Sequence, residues 1–531
     1  MKTLSNNIHM NHSHKKTKRI SQIFPLIVVC LGMTSCSLLQ DEQAIPYDVV
    51  FLGGRVIDPE TGFDQLANVG ISGNKIVSIS KQSLAGSESI NASGLVISPG
   101  FIDLHSHALS KLGQQFQAMD GVTTALELEA GVYPIDALSQ IMGGQSVINY
   151  GASTSHLAIR QLVIEGIVKP HFTTPSTPLV LDSNPNSKSE GSVPKNAAFT
   201  QQASRQQIRS IAAHLQQGIS EGGLGIGVLL DYIRGAVNAS ELDMVFEEAA
   251  AVKVPVFVHI VRGLPGDTEG LEQVIALSKI HKTSVHICHL NSSAMGGIEQ
   301  FLELISKARA EGIDITSEAY PYNAGSTGIS AAVFSRDWQS IFGISYQDVE
   351  WAATGERFTK SMWQDYRQRF PEGKIIHHYG KEQWTRVALK APGIMIASDA
   401  MPLLSNDDRV HPRGVGTFSK TLGRYTSSSD SSTGMPLVTA LAKMTVLPAK
   451  RMQSFAPAFM RKGRLREGFD ADITVFDPDE ISDMATYQQP LAPSKGIQHV
   501  MVNGEFVLKH GVLLEDTLPG QIIKGVSEKS L

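Results

Sequence analysis

Cysteine is nearly absent from the body of this 531-residue chain: Cys30 and Cys36 lie near the N-terminus and leave Cys288 alone. No intrachain disulfide can form beyond that leader, whatever the compartment. An excess of basic residues is missing too. Lys and Arg number 46 against 51 Asp and Glu, a net charge of −5, so the footprint of a nucleic-acid partner is lacking. The apolar run from Ile20 to Met33 is too short to span a bilayer. What is present is bulk: at 42% hydrophobic residues the chain can bury a large core and suggests more than one domain.

The N-terminus reads as a leader. "KKTKRISQIFPLIVVCLGMTSC" runs from a basic stretch (Lys15, Lys16, Lys18, Arg19) into the apolar run and ends in small residues, the grammar of a signal peptide. Its close, Met33-Thr34-Ser35-Cys36, resembles a bacterial lipoprotein box. Residues 1–36 are therefore expected to be a lipoprotein signal, with lipidated Cys36 as the mature N-terminus. That places the chain on the bacterial cell envelope, anchored to the membrane by lipid and facing the periplasm or the cell surface. An ordinary secretory signal cleaved nearby is the alternative. In both cases the His12/His14 pair is removed.

Beyond a short tether, "YDVVFLGGRVIDPETG" and "ANVGISGNKIVSIS" read as strands, as do "ADITVFDPDE" and the Asn-Gly hairpin "HVMVNGEFVLKHG" at the far end. Both termini are expected to build one small β-sandwich domain, residues 46–97 and 464–515. The middle, 98–463, alternates. Strand-like runs "VISPGFIDLH", "GVTTALELE", "GLGIGVLL", "VPVFVHI", "TSVHICHL", "GIDITSEAYPY" and "GIMIASDA" are separated by helical patterns such as "GIEQFLELISKARAEG". This spacing predicts an α/β fold with parallel strands, and the number of units favours a (β/α)₈ TIM-like barrel over a doubly wound sheet. Residues 173–196 read as a long loop, and residues 330–390, rich in aromatics and charge, as an insertion forming a lid over the barrel mouth.

In such barrels the chemistry lies at the C-terminal ends of the strands. There the sequence puts His105 and His107 on the first strand and Glu127 and Glu129 on the second. His259, His289 and Asp399 end three later ones. Four imidazoles and several carboxylates at one mouth would repel or desolvate one another unless a cation organised them. A mixed set of this kind suits a divalent ion such as Zn²⁺. Singly, each His is as readily a satisfied core residue, and the two glutamates could merely cap the strand in solvent.

"PGFIDLHSH", "GVTT", the two later His and the "SD" of the last strand are similar to the metal-dependent amidohydrolase superfamily. "EAYPYNAGST", "ASDAMPL", "HPRGVGTFSKTLGRY" and "GRLREGFDADITVFDP" resemble its D-aminoacylase (N-acyl-D-amino-acid deacylase) branch over most of residues 46–513. The resemblance implies a barrel with a small β-sandwich, one or two zinc ions, and hydrolysis of a small-molecule linear amide. Most directly that amide is an N-acyl-D-amino acid. The metal ligands are then His105, His107, His259, His289, Asp399 and a bridging Glu129, with Glu127 in reserve. Asp399 serves as general base and acid, and Tyr320 as a donor to the developing oxyanion. Arg413 corresponds to a carboxylate clamp, with Asp407 or Asp408 as its partners if it only stabilises a loop. Two departures stand out. Ala130 replaces a cysteine ligand of the branch, and Asn291 replaces a lysine that helps hold the substrate carboxylate. A cyclic amide or a dipeptide is the alternative substrate, and phosphotriester hydrolysis or deamination a more distant one. A non-catalytic binding lipoprotein is the alternative of another class.

Overall fold

A computed structural model describes residues 47–178, 196–426 and 434–526. The leader and Cys36, and most of the long loop, lie outside the described residues.

Eight parallel strands form the central sheet: β1 (Phe101–Asp103), β2 (Val122–Val132), β3 (Asn149–Ser155), β4 (Ile226–Leu229), β5 (Val256–His259), β6 (Val285–Ile287), β7 (Ile315–Ala319) and β8 (Ile394–Ile396). They pair in chain order. The sheet is drawn shut where Ser106 bridges Ala400 in parallel, Asp399 N–H donates to His105 O (2.7 Å) and His107 N–H to Ala400 O (2.9 Å). Helices packed outside bury the outer face, so strands such as β2 are buried along all their residues and carry apolar runs in place of alternation. The helices start where the sequence supplies caps. Ser110 Oγ accepts from Gly113 N, and Ser204 and Gln207 make a reciprocal capping box.

Only β3 escapes the strand reading. Its sequence, "NYGASTS", is made mostly of small polar residues, and helix Arg205–Ser220 packs closely on it: a Cβ on Gly218 would lie 2.4 Å from the Thr154 side chain at Cγ2. The C-terminal segment returns to the same strand, with Tyr150 N–H donating to Gln521 O and Ile523 N–H to Tyr150 O.

Both ends of the chain join in one nine-stranded sheet, Val96–Pro99 pairing antiparallel with Ile473–Phe476. It curls around its own core of Phe51, Val69, Ile71, Ile97, Ile473, Val475 and Met501. The Asn503-Gly504 turn joins Ile497–Val502 to Glu505–Lys509 with both turn residues at positive φ (50° and 86°), as a tight hairpin requires.

Between β7 and β8 the chain builds a four-stranded sheet of Gly325–Gly328, Lys374–His377, Val349–Trp351 and Glu356–Arg357. Its core is aromatic, with Phe334, Trp338, Phe342, Phe358 and Trp363 largely edge-to-face. Helix Glu382–Lys390, in the same stretch of sequence, buries Ala388 and Leu389 in the barrel core instead. Among the described residues, no helix is long and apolar enough to cross a membrane.

Candidate metal centre

The strand ends bring the polar residues to one place. Asp103, at the end of β1, accepts from the backbone N–H of His105 (3.1 Å) and of Ser398 (3.0 Å), tying the ends of β1 and β8 together. Burial lifts its carboxyl to about 6 even against the Ser398 hydrogen bonds. From this tie His105 and His107 turn inward until their Nε2 atoms are 3.3 Å apart.

Glu129 stands between two sets of donors. Its Oε2 lies 3.3 Å from His105 Nε2 and 3.5 Å from His107 Nε2, and both imidazoles lie 3.5 Å from Asp399 Oδ1. Its Oε1 lies 2.8 Å from both His259 Nδ1 and His289 Nε2, which are 3.0 Å from each other. Ligands about 2.0–2.1 Å from a tetrahedral ion are about 3.3–3.4 Å apart, the spacing of the first set; the second is drawn in more tightly. His105, His107 and Asp399 could thus hold one ion and His259 with His289 another, Glu129 giving one oxygen to each.

The far side of each imidazole fixes its tautomer. His107 Nδ1 faces Glu127 Oε2 at 2.6 Å, and His105 Nδ1 faces Glu318 Oε1 at 3.1 Å. Each therefore donates outward, and Nε2 is the atom at which an ion would take the place of a proton. His289 Nδ1 faces only Ser293 Oγ (3.3 Å), and His259 Nε2 accepts from Arg262 Nη1 (2.7 Å). Electrostatics follow this division. Burial alone would strip His105 and His107 of protons, but Glu129 and Asp399 around the first and Glu127 around the second raise both well above the usual range. His259 goes the other way, pushed down to about 4 by burial and by Arg262. Glu129, despite burial, is held well below the usual carboxylate range by His105, His259 and His289. The pocket calls for positive charge.

Two of the converging residues sit at strained backbone positions, His289 at φ 34° and Asp399 at φ 51°. Left-handed conformations at non-glycine residues are uncommon and gather at functional sites.

Glu127 and Glu129 are both buried, so neither caps the strand in solvent. Glu127 faces away from the second set, accepting from His107 and from His171 Nε2 (2.9 Å). Arg413 is 1% exposed and meets neither Asp407 nor Asp408: its Nη2 lies 2.9 Å from Asp399 Oδ1 and its Nε donates to Asp399 O (2.6 Å). The guanidinium lies over the Tyr320 ring, 4.8 Å from its centroid. The Tyr320 hydroxyl is 3.5 Å from that of Tyr379, which the insertion carries in. Asn291 is engaged with the Tyr320 backbone through both ends of its amide, donating to O (3.0 Å) and accepting from N–H (3.4 Å).

Sequence reading missed Glu318, His286, His171 and Arg262. Glu318 accepts from His105, from the backbone N–H of His289 and from His286 Nε2, whose Nδ1 lies 2.8 Å from Thr316 Oγ1. The available signal was period two: Glu318 and Thr316 share a face of β7, an odd place for a carboxylate unless something inside needs it.

The amidohydrolase family model matches residues 96–507. The chain is 27% identical over 471 residues to an N-acyl-D-glutamate deacylase of Alcaligenes xylosoxydans xylosoxydans, covering 86% of this chain and 93% of that one. Its fold is similar to a solved N-acyl-D-glutamate deacylase from Bordetella bronchiseptica, complexed with zinc and a phosphonate inhibitor (TM-score 0.70, 23% identity, 90% of this chain and 100% of that one). It is similar as well to a D-aminoacylase described as having a binuclear metal centre (TM-score 0.71, 22% identity, with 90% and 100% covered).

Proposed function

The chain belongs to the amidohydrolase family, and from that premise we propose that it is a zinc-dependent hydrolase that cleaves N-acyl-D-amino acids to a carboxylate and a D-amino acid. The observation that carries this reading is Glu129, which offers one oxygen to each of two sets of buried donors. A divalent ion in such a site supplies a polarised carbonyl and an acidified water. The chain's own residues do the rest. Asp399, held well below the usual carboxylate range by Arg413 and His105 in spite of burial, is ionised and takes the proton from water. It then passes that proton to the leaving nitrogen. Arg413 fixes this carboxylate through two contacts, and the Tyr320 hydroxyl donates to the oxygen on which charge develops.

The test is a panel of N-acyl-D- and N-acyl-L-amino acids with metal content measured alongside. The D-series should turn over with zinc bound. Asp399→Asn should keep metal at His259 and His289 yet lose about 10²–10⁴-fold in turnover. A panel with no substrate cleaved, or a variant within a factor of about ten of wild type, sinks the reading.

Anchorage belongs to the same proposal. The basic-apolar-Cys order of residues 15–36 supports a lipid on Cys36 at the bacterial cell envelope. Cys36→Ser should leave the chain uncleaved or soluble, and a wild-type chain found wholly in the soluble fraction removes the anchor.

A further inference from the structure

Arg262 follows His259 by three residues and is 8% exposed. A guanidinium so buried needs acceptors, and of those this one has, only Asp231 is charged. Its Nη1 lies 3.3 Å from Asp231 Oδ2, long beside the about 2.7–2.9 Å usual between charged partners. Nor is Asp231 its own. Arg336, from the insertion, places Nη2 2.7 Å from Asp231 Oδ1 and donates from Nη1 to Arg262 O (2.7 Å). Two guanidiniums share one carboxylate, and Arg234 is near enough to push Arg336 down further, after burial itself. The remaining contacts of Arg262 are neutral: Nη2 donates to Ser292 Oγ (2.9 Å), Nε to Ser292 O (3.4 Å) and Nη1 to His259 Nε2 (2.7 Å).

The last contact is conditional. His259 accepts at Nε2 only while Nδ1 carries the ring proton. An imidazole that offers Nδ1 to an ion carries its proton on Nε2 and can accept nothing there. Metal binding therefore leaves an N–H of Arg262 without its acceptor, beside the reacting centre. Ser292 Oγ continues to the Tyr379 hydroxyl at 2.5 Å, and that hydroxyl to Tyr320 at 3.5 Å, so a line of donors runs from Arg262 to Tyr320. Arg413 is held to Asp399 through Nη2 and Nε, and Asn291 to the Tyr320 backbone.

We infer that Arg262 is the residue that binds the carboxylate of the amino-acid half of the substrate, in a subsite that Arg336 and Tyr379 of the insertion complete. The inference rests on the deacylase reading for its choice of ligand. A guanidinium suits the task because it is always charged and can hold both oxygens.

The probe is the ketomethylene analogue of N-acetyl-D-alanine, in which CH₂ replaces the scissile N–H, together with its primary amide. Each is titrated calorimetrically into zinc-loaded full-length protein. Wild type should bind the acid at least about tenfold more tightly than the amide, the scale of a hydrogen bond to a charged group. Arg262→Gln should bring that ratio to about one and leave the amide's affinity within about threefold, as expected when only the charged contact is lost. Arg262→Lys should restore part of it. Arg336→Gln, whose parent side chain is partly exposed and whose loss gives Asp231 to Arg262 alone, should lower the ratio as well, and it decides the matter if Arg262→Gln does not fold. No preference for the acid in wild type, or an unchanged ratio in the variants, overturns the inference. Hydrolysis of N-acetyl-D-alanine is assayed separately. An acid preference without hydrolysis ends the deacylase reading and leaves the subsite standing.

Discussion

The two donor sets that share Glu129 are built on different supports. His105 and His107 each lean on a buried carboxylate, Glu318 and Glu127. His289 leans on a neutral hydroxyl and His259 on a guanidinium. A carboxylate behind an imidazole fixes its orientation and makes it a better ligand; a cation behind one weakens it. The first set is thus organised to hold an ion, and the second to leave one exposed to what approaches from the Arg262 side. The lesson is that two sets with matching donors need not be equivalent, because the atoms behind the donors differ.

Removing what they share should have the largest effect. Glu129→Gln keeps the size and takes away the charge that both sets depend on, so bound zinc should fall at both and turnover with it, by at least the about 10²-fold upper range for a single supporting contact. Mass spectrometry of metal content checks this, and full metal in the variant would mean that the shared ligand lies elsewhere. An intermediate effect is expected from one support of the first set. Glu127→Gln, whose parent side chain touches His107 and neither histidine of the second set, should weaken one of two zinc-binding steps about 10–100-fold in competition with a chelator and leave the other step in place. If both steps weaken equally, the division between the sets is wrong. The smallest effect should come from Ser293→Ala, which removes one neutral contact to His289 and should cost no more than about fivefold at the second set. A loss as large as that of Glu127→Gln would erase the distinction.

Much of this was legible in the chain because local chemistry and tertiary need coincide. The apolar runs of seven barrel strands, the Asn503-Gly504 turn and the His at strand ends each announce themselves over a few residues. β3 did not, since its residues are mostly small and polar and the helix that packs on them at Gly218 lies more than sixty positions away. The supports were hidden for a similar reason. Glu318 was inside a quoted motif, but its partners are His105, His286 and His289, and only closure of the barrel brings them together. Arg262 looks like a loop arginine until Asp231 is seen to be shared with the insertion.

The seam between β1 and β8 has a consequence for the order of events during folding. The first donor set takes His105 and His107 from one side of that seam and Asp399 from the other, and Ser398 meets His105 across 293 residues of sequence. Contacts of such separation form late, because the loop must close before they repay its entropy. During synthesis the histidines emerge long before their carboxylate partner, so the chain spends that interval unable to complete the first set. An ion that waits for all three becomes a latch on the finished barrel, resisting the step that parts the first strand from the last.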